Sequence, residues 1–463
     1  MRILFVLHQF LPETQGGTEL YASQLLEELR KGHEVCVFYR AGEPARPDYE
    51  VSHSSWQGIP CIAVNYHYRD FRDFSSTYTN PRMEELFREV LRDIQPDAVH
   101  FHHFTGLSVG LPRIAKEEGL RAVVVTMHDF WTFCAQGQRV RRDLVTCAVT
   151  DPAVCAACQV LQHDVPRFLK VWPRIVESRL IFFSHRGWGR KLIAFGASIQ
   201  KHLLRLWGGR AREGMMKRES EMRRMLDSAD LCLAPSHAVL RHAKAAGFPA
   251  GRLQLAVKGS ADFHPVPRSS QREGFRLVYL GTMIPSKGPQ VLLQAFRHLK
   301  GRHLKLDFHG PFFHYDGFSD FERRFRLQAA RDTRVHLMGP YAREKLKCIL
   351  AEADLVVVPS LWCENRPLVI EEALQALRPV VASDVESIRE QIQEGENGLL
   401  FRAGDWEDLR RVLKKFIEKP GVINIPGRLK SPVQTIREDA DFHARLYAGL
   451  IRSQGRVQPA GFA

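Results

Sequence analysis

Short apolar runs of strand length alternate with amphipathic helical stretches along this chain, and they do so in two separate rounds. The first round opens with Ile3 to Leu7 and passes through the loop HQFLPETQGGTE. It continues into a helix whose Leu20, Leu25, Leu26 and Leu29 share one side before Gly32 stops it. Val35 to Tyr39 returns as a strand, followed by a helix over 83–94, a strand over 98–101, a helix over 111–118 and a strand over 122–126. The second round starts with the strand Arg276 to Leu280, the loop GTMIPSKG and the helix PQVLLQAFRHL. Strands at 304–308, 335–338, 355–358 and 380–382 follow, then a helix over 405–417. Strand, helix and strand in succession make a parallel pair with a crossover, and repetition of that unit gives an α/β sheet covered by helices. At 463 residues the chain is long enough for two such domains, each with its own core. Asp262 to Gly274 carries two prolines, two serines and no apolar periodicity, and is the expected linker.

Open sheets of this kind bind ligands beyond the carboxyl ends of their strands. Gly16-Gly17 stand in such a loop, either for close backbone approach to a phosphate or sugar or as a flexible turn. His128 follows the strand 122–126 at the same sheet edge and reads as a site residue ahead of a structural one. His100, His102 and His103, with no paired carboxylate or helical spacing, read as strand-end residues. In the second round Lys287-Gly288 precede a helix that opens on Pro289, an anion site with an added point charge. The richest stretch is VVVPSLWCENRPLVIEEALQALRPVVAS, Val356 to Ser383. Glu364 stands in its loop and Glu372 within its helix, and Pro367 suits the helix's first turn. A carboxylate before the helix, free amides at its start and a carboxylate inside it suit a ligand with hydroxyls at both ends and phosphates between. A nucleotide sugar has that shape. Solvated glutamates in an ordinary strand–helix–strand unit are the bland alternative.

Residues 132–227 break the rhythm. Cys134, Cys147, Cys155 and Cys158 follow the pattern C-x12-C-x7-C-x2-C, whose closing pair has zinc-knuckle spacing. Four thiolates around a structural zinc and four unligated thiols are equally open readings, with an iron–sulfur or redox role well behind. From 159 to 227, fifteen Lys/Arg stand against six Asp/Glu, which supplies +9 of the chain's net +14. These basic residues alternate with Trp172, Phe182, Phe183, Trp188, Phe195 and Trp207. The combination suits helices lying on an anionic bilayer, with a solvated helical hairpin next and single-stranded nucleic acid least favoured. No run of about 18 apolar residues occurs and the N-terminus lacks a small-residue cleavage site, so a cytoplasmic protein is expected.

Three motifs, ENRPLVIEE, GTMIPSKG and HQFLPETQGGTE, together resemble the retaining family-4 glycosyltransferases of the GT-B fold. The resemblance runs through nearly the whole chain and is weakest over 132–227. It implies two Rossmann-like, doubly wound parallel-sheet domains facing a central cleft. Residues 1–262 would form the acceptor domain with the insertion, 263–274 the linker, 275–428 the nucleotide-sugar donor domain, and 429–463 a helix returning toward the first domain. By resemblance Glu364 contacts donor-sugar hydroxyls, Glu372 the ribose, and Lys287 the diphosphate. The backbone from Asn365 through Arg366 and Pro367 to Leu368 holds phosphate and sugar. His128 stands near the transferred sugar, Gly16-Gly17 on a phosphate-facing loop, and Gly310 with Met338 to Tyr341 near the base. Catalysis would rest on His128, Glu364 and Lys287 with no cofactor. Many members carry Arg where this chain has Thr282, and Arg366 is one candidate for the missing cation. The usual Asn-Gly-Val-Asp reads Lys258-Gly259-Ser260-Ala261, and the usual Gly-Gly reads Glu386-Ser387 with Glu390 retained.

The implied activity is a retaining hexosyltransferase. Its donor would be a nucleotide-diphosphate sugar and its acceptor a lipid-linked glycan or polysaccharide. The HDFW stretch followed by cysteines resembles a bacterial subset that assembles surface polysaccharide or lipopolysaccharide. Such an enzyme would be cytoplasmic and peripheral on the inner face of the membrane. A sugar-nucleotide epimerase on the same fold, or a non-catalytic basic module for membrane or nucleic acid, are the competing readings.

Overall fold

A computed structural model describes residues 1–13, 16–70, 72–141, 144–147, 151–152, 155–156, 209–260, 266–267, 274–315, 318–423 and 434–454. The strands fall into two sheets. The first contains β1 (Arg2–Leu7), β2 (Glu34–Ala41), β3 (Val51–Trp56), β4 (Ile59–Asn65), β5 (Ala98–Phe101), β6 (Ala122–Thr126), β7 (Leu231–Ala234) and β8 (Leu253–Leu255). Their order is β3-β4-β2-β1-β5-β6-β7-β8, parallel except for the β3–β4 hairpin. The second holds β9 (Phe275–Leu280), β10 (Leu304–His309), β11 (Val335–Gly339), β12 (Leu355–Val358), β13 (Val380–Ser383) and β14 (Gly398–Phe401). Its order is β11-β10-β9-β12-β13-β14, parallel throughout. Without the hairpin strand β3, both sheets wind outward from a central pair in opposite directions, the doubly wound arrangement expected from the sequence. The chain reverses direction between β1 and β5 in one sheet and between β9 and β12 in the other. Loops leaving those four strands splay apart there and open a crevice.

The strands are near-continuous apolar runs because helices cover both faces. Ile3, Leu4, Phe5, Val6 and Leu7 of β1 are wholly buried, as are Leu355 and Val356 of β12. Around the first sheet lie α1 (Gly17–Leu29), α2 (Pro81–Ile94), α3 (Leu111–Glu117), α4 (Gly209–Ser228) and α5 (His237–Ala245). Around the second lie α6 (Pro289–Arg297), α7 (Phe321–Ala329), α8 (Leu346–Glu352), α9 (Leu368–Gln375), α10 (Glu386–Arg389) and α11 (Trp406–Glu418). Side-chain caps fix several starts: Asn80 accepts from Met83 N at 3.1 Å, and Asp405 accepts from Glu407 N and Asp408 N at 3.0 and 2.9 Å.

The last helix, α12 (Ile436–Gln454), returns to the first sheet. Its Ile436, Ala440 and Tyr447 are buried with Leu25, Leu26 and Leu29 of α1. Asp439 accepts from Tyr21 Oη and from Gly259 N, each at 2.8 Å, which ties the helix to both α1 and the start of the crossover. The expected linker 263–274 and the start of the expected C-terminal segment lie almost wholly outside the described residues. So does most of the basic stretch 159–227, of which α4 is the described part. Among the described residues no helix is long and apolar enough to cross a membrane.

Candidate active site

The loop after β12 packs against the loop after β9, at the crevice of the second sheet. Gly288 takes φ +72°, and a Cβ there would stand 1.9 Å from Pro359 O, so only glycine lets the two loops touch. This approach brings Lys287 onto Glu364, 77 residues away. Oε1 of Glu364 accepts from Lys287 Nζ at 2.7 Å, from Ser360 Oγ at 2.6 Å and from Trp362 Nε1 at 2.7 Å. The Lys287 ammonium also lies 4.8 Å from the centre of the Trp362 ring. Glu364 is 3% exposed, and three donors converge on one of its carboxyl oxygens in the interior. No described residue donates to Oε2. Ser387 Oγ donates to Glu364 O and holds the loop from the far side.

Pro367 precedes α9 as its cap residue instead of occupying the first helical position, with φ −66° and ψ 116°. The amides that follow it open the helix as the sequence implies. One turn along, Glu372 pairs with Arg343 Nη1 at 2.5 Å, and burial raises its carboxyl above the ordinary range against that guanidinium. Tyr341 stands by Glu372 and meets the His309 ring edge-on at 5.9 Å. Gly310 takes φ +148°, with Gly281 O where a Cβ would be. Thr282 contributes its carbonyl, which accepts from Tyr279 Oη at 2.8 Å. Arg366 is turned away from the role of second cation: its Nε donates to Glu371, whose carboxyl burial pushes up to about 6.

Asn365 crosses the cleft, its Nδ2 donating to Met127 O at 2.7 Å. Next to it, His128 is 6% exposed, with Nε2 at 2.8 Å from His102 Nδ1 and its ring 5.4 Å from that of Tyr21. Burial, helped by the Lys258 charge, holds the His128 imidazole well below its ordinary range, so it is neutral. Its Nδ1 is buried without a partner among the described residues. Lys258 is 6% exposed with its ammonium 5.5 Å from the Tyr21 ring centre, and burial pushes it down to about 8. The two halves of the site, Glu364–Lys287 on one domain and His128 on the other, therefore face each other.

A family model described as Glycosyltransferase Family 4 matches residues 15–256, just over half of the chain. The chain belongs to glycosyltransferase family 4. A model described as Glycosyl transferases group 1 matches residues 263–431, the second sheet and its helices. The chain is similar to a D-inositol 3-phosphate glycosyltransferase of Arthrobacter sp. (strain FB24), 33% identical over 172 residues. That match spans 35% of this chain and 40% of the relative, less than half the length of either. Among solved structures it resembles a sucrose-phosphate synthase from Thermosynechococcus elongatus, with TM-score 0.62, 18% identity and 98% of both chains covered. HepE of Anabaena, solved with UDP, matches with TM-score 0.58 at 15% identity, again over 98% of both chains. These structural likenesses show the shared GT-B fold.

In this family-4 chain several polar site residues escape a reading by motif. Glu371 stands beside Glu372 and looks like a solvent-facing neighbour, yet both are buried, at 1% and 4% exposure. The Glu-Glu pair within an apolar helix was the available signal. Lys258 shows only as a departure from a family pattern. His102 and His103, expected as plain strand ends, have partners after all: His102 bonds His128, and His103 Nε2 lies 3.0 Å from Asp129 Oδ2. The carboxylate missing from their sequence neighbourhood comes from the next strand's loop. Gly16 caps α1 through backbone alone, and Gly17 opens the helix.

Cys134, Cys147 and Cys155 are half-buried, and Cys158 lies outside the described residues. Among the described residues no group of three or more His, Cys, Asp or Glu side chains is placed to hold a metal ion. The cysteine segment reaches the donor-side loop: Cys363, its thiol pushed up to about 11 by burial, packs against the same core as Cys134. Tyr315 Oη donates to Gln138 Oε1 at 2.9 Å, a second link between this segment and the second domain.

Proposed function

We propose that this family-4 protein is a retaining hexosyltransferase. It would move a sugar from a nucleotide-diphosphate sugar to a lipid-linked or polysaccharide acceptor in the assembly of cell-surface glycan. The observation that carries the donor half is the Lys287–Glu364–Trp362 cluster, set directly before α9 with Glu372 one turn along it. Lys287 and the α9 amides supply positive potential where a diphosphate leaves, in place of a metal. Glu364 Oε2 and the Glu372 carboxylate are acceptors for sugar and ribose hydroxyls. The UDP complex of the structurally similar HepE supports a nucleotide-bearing donor. The neutral His128 faces the transferred sugar from the other domain.

In the proposed reaction the acceptor oxygen attacks the anomeric carbon on the face from which the diphosphate departs. The bond from that carbon to the phosphate oxygen breaks, and the acceptor's proton passes to that oxygen. No protein nucleophile is required, so the anomeric configuration is kept. Glu372→Gln keeps the side chain's size and an acceptor for Arg343, and is the cleaner test than Glu372→Ala, which leaves the half-buried Arg343 guanidinium without that partner. Transfer is expected to fall at least about 100-fold with nucleotide-sugar affinity weakened and the circular dichroism unchanged. Wild-type turnover in that variant would sink the assignment. Consumption of nucleotide sugar with no acceptor present would point instead to an epimerase.

A further inference from the structure

At the crevice of the first sheet a second polar cluster stands apart from the donor residues. His8 follows β1, His103 follows β5, Asp129 follows β6, and Glu19 lies in the first turn of α1. The rings of His8 and His103 pack 4.3 Å apart. Each faces a carboxylate: His8 Nε2 lies 3.3 Å from Glu19 Oε1, and His103 Nε2 lies 3.0 Å from Asp129 Oδ2. His103 Nδ1 accepts from Thr105 N at 3.1 Å, so its proton is on Nε2, directed at Asp129. Trp131 stands at the rim, 5.8 Å from the His103 ring.

The Glu19 carboxylate folds back over the start of its own helix, facing the N–H groups of Gly16 and of Glu19 itself. A Cβ on Gly16 would lie 2.3 Å from Oε2. The anion position of α1, which Gly16-Gly17 would otherwise offer to a phosphate, is thus filled by the chain's own carboxylate. Arg40 is spent on carbonyls, donating to His8 O at 3.3 Å and Tyr66 O at 3.0 Å, and Arg218, whose guanidinium lies 4.8 Å from the Trp131 ring centre, donates to Trp131 O. Lys258 faces Glu371 across the cleft as the largest charge near it. A phosphate placed against Glu19 and Asp129 would meet two carboxylates and be repelled. A sugar hydroxyl donates to a carboxylate, and His8 Nδ1, which has no partner among the described residues, is a further acceptor for one.

We propose that His8, Glu19, His103 and Asp129 form the acceptor-sugar subsite, and that it takes a neutral, polyhydroxylated sugar in preference to a phosphorylated one. This rests on the transferase reading above for the donor, but the cluster binds its ligand without the donor. It also runs against the substrate in the name of the inositol-phosphate relative, whose match covers 35% of this chain.

Saturation-transfer NMR on the full chain separates the two claims. The probes are the methyl glycosides of neutral hexose disaccharides, and for comparison hexose 1-phosphates, hexose 6-phosphates and myo-inositol 1-phosphate. The neutral glycosides are expected to bind and to lose about tenfold or more in affinity in Glu19→Gln and in Asp129→Asn. The phosphates are expected to bind at least about tenfold more weakly to the wild type and to gain relative to the glycosides in both variants. Equal or tighter binding of the phosphates to the wild type overturns the proposal. So does unchanged glycoside affinity in both variants with their melting curves intact. A separate titration with UDP-glucose and other nucleotide sugars reads the donor claim: no donor binding beside intact glycoside binding would fail the transferase reading and leave the subsite standing.

Discussion

His100, His102 and His128 lie in the interior between the first sheet and α12, and burial holds all three imidazoles well below their ordinary range. His100 is fixed at both nitrogens, 2.6 Å from Tyr447 Oη and 2.7 Å from Thr126 Oγ1. Below the ordinary histidine pKa the unfolded chain takes up protons that the folded chain refuses, so stability falls as pH falls through that window. Each such histidine adds a slope of about 1.4 kcal/mol per pH unit. Glu371, held up at about 6, acts with the opposite sign: its folded form binds a proton first, and stability is lost as pH rises from its unfolded value toward 6. The comparison that isolates the imidazole is wild type against His100→Gln. Urea unfolding between about pH 5 and about pH 7 should show a shallower dependence in the variant. Identical slopes would mean the buried imidazole does not set it. Little of this was legible from the sequence, where His100, His102 and His103 read alike as strand-end residues.

At the scale of elements, α10 and α5 show how a departure from a family pattern acquires a role. Glu390 at the end of α10 accepts from His237 N at 2.9 Å and Ala238 N at 2.7 Å, capping α5 from the other domain. Glu386, in place of a usual glycine, pairs with Arg241 at 2.5 Å and with His242 at 3.2 Å. The first contact is sheltered, with Glu390 17% exposed; the second is open to solvent and screened by salt. Glu390→Ala removes the cap and should lower the melting temperature and raise the donor KM, while Glu386→Ala should change little at high salt. Equal effects from both, at every ionic strength, would contradict that ranking. Elements were otherwise the most legible level, because periodicity is local. The β3–β4 hairpin was one omission, beside strands β8 and β14 and helices α5, α7 and α8. Its Gln57-Gly58 connection, both at positive φ, was the signal, but the flanking VSHSSW lacks an apolar face.

For the whole molecule, the net charge of +14 is concentrated in a stretch that is largely outside the described residues. Its described end, α4, buries Met222 and Met225 in the first core, so that part is structural. A deletion of the whole basic stretch would therefore remove core as well as charge. Neutralising Arg186, Arg190, Lys191 and Lys201 together tests the membrane contact expected from the sequence while leaving α4 unchanged. Vesicles containing phosphatidylglycerol should recruit the wild type in a salt-sensitive manner, with affinity reduced at least about tenfold in the variant. Recruitment unaffected by salt and by the substitutions would remove the peripheral-membrane reading.

The sequence by itself determined the alternation, hence two parallel doubly wound sheets, and it marked Lys287, Glu364 and Glu372, because each of those signals sits within a single strand–loop–helix unit. Tertiary structure alone decided which charges are shared. Lys287 and Glu364 meet across 77 residues because β9 and β12 are neighbours at the point where the sheet reverses. Glu371 binds Arg366 within its own unit, but only burial reveals that the pair is inside. Asp129 reaches His103, and Asn365 reaches Met127, only once strand order and domain facing are fixed. Period and spacing are properties of neighbours along the chain, whereas burial and pairing are set by which loops the sheets bring together.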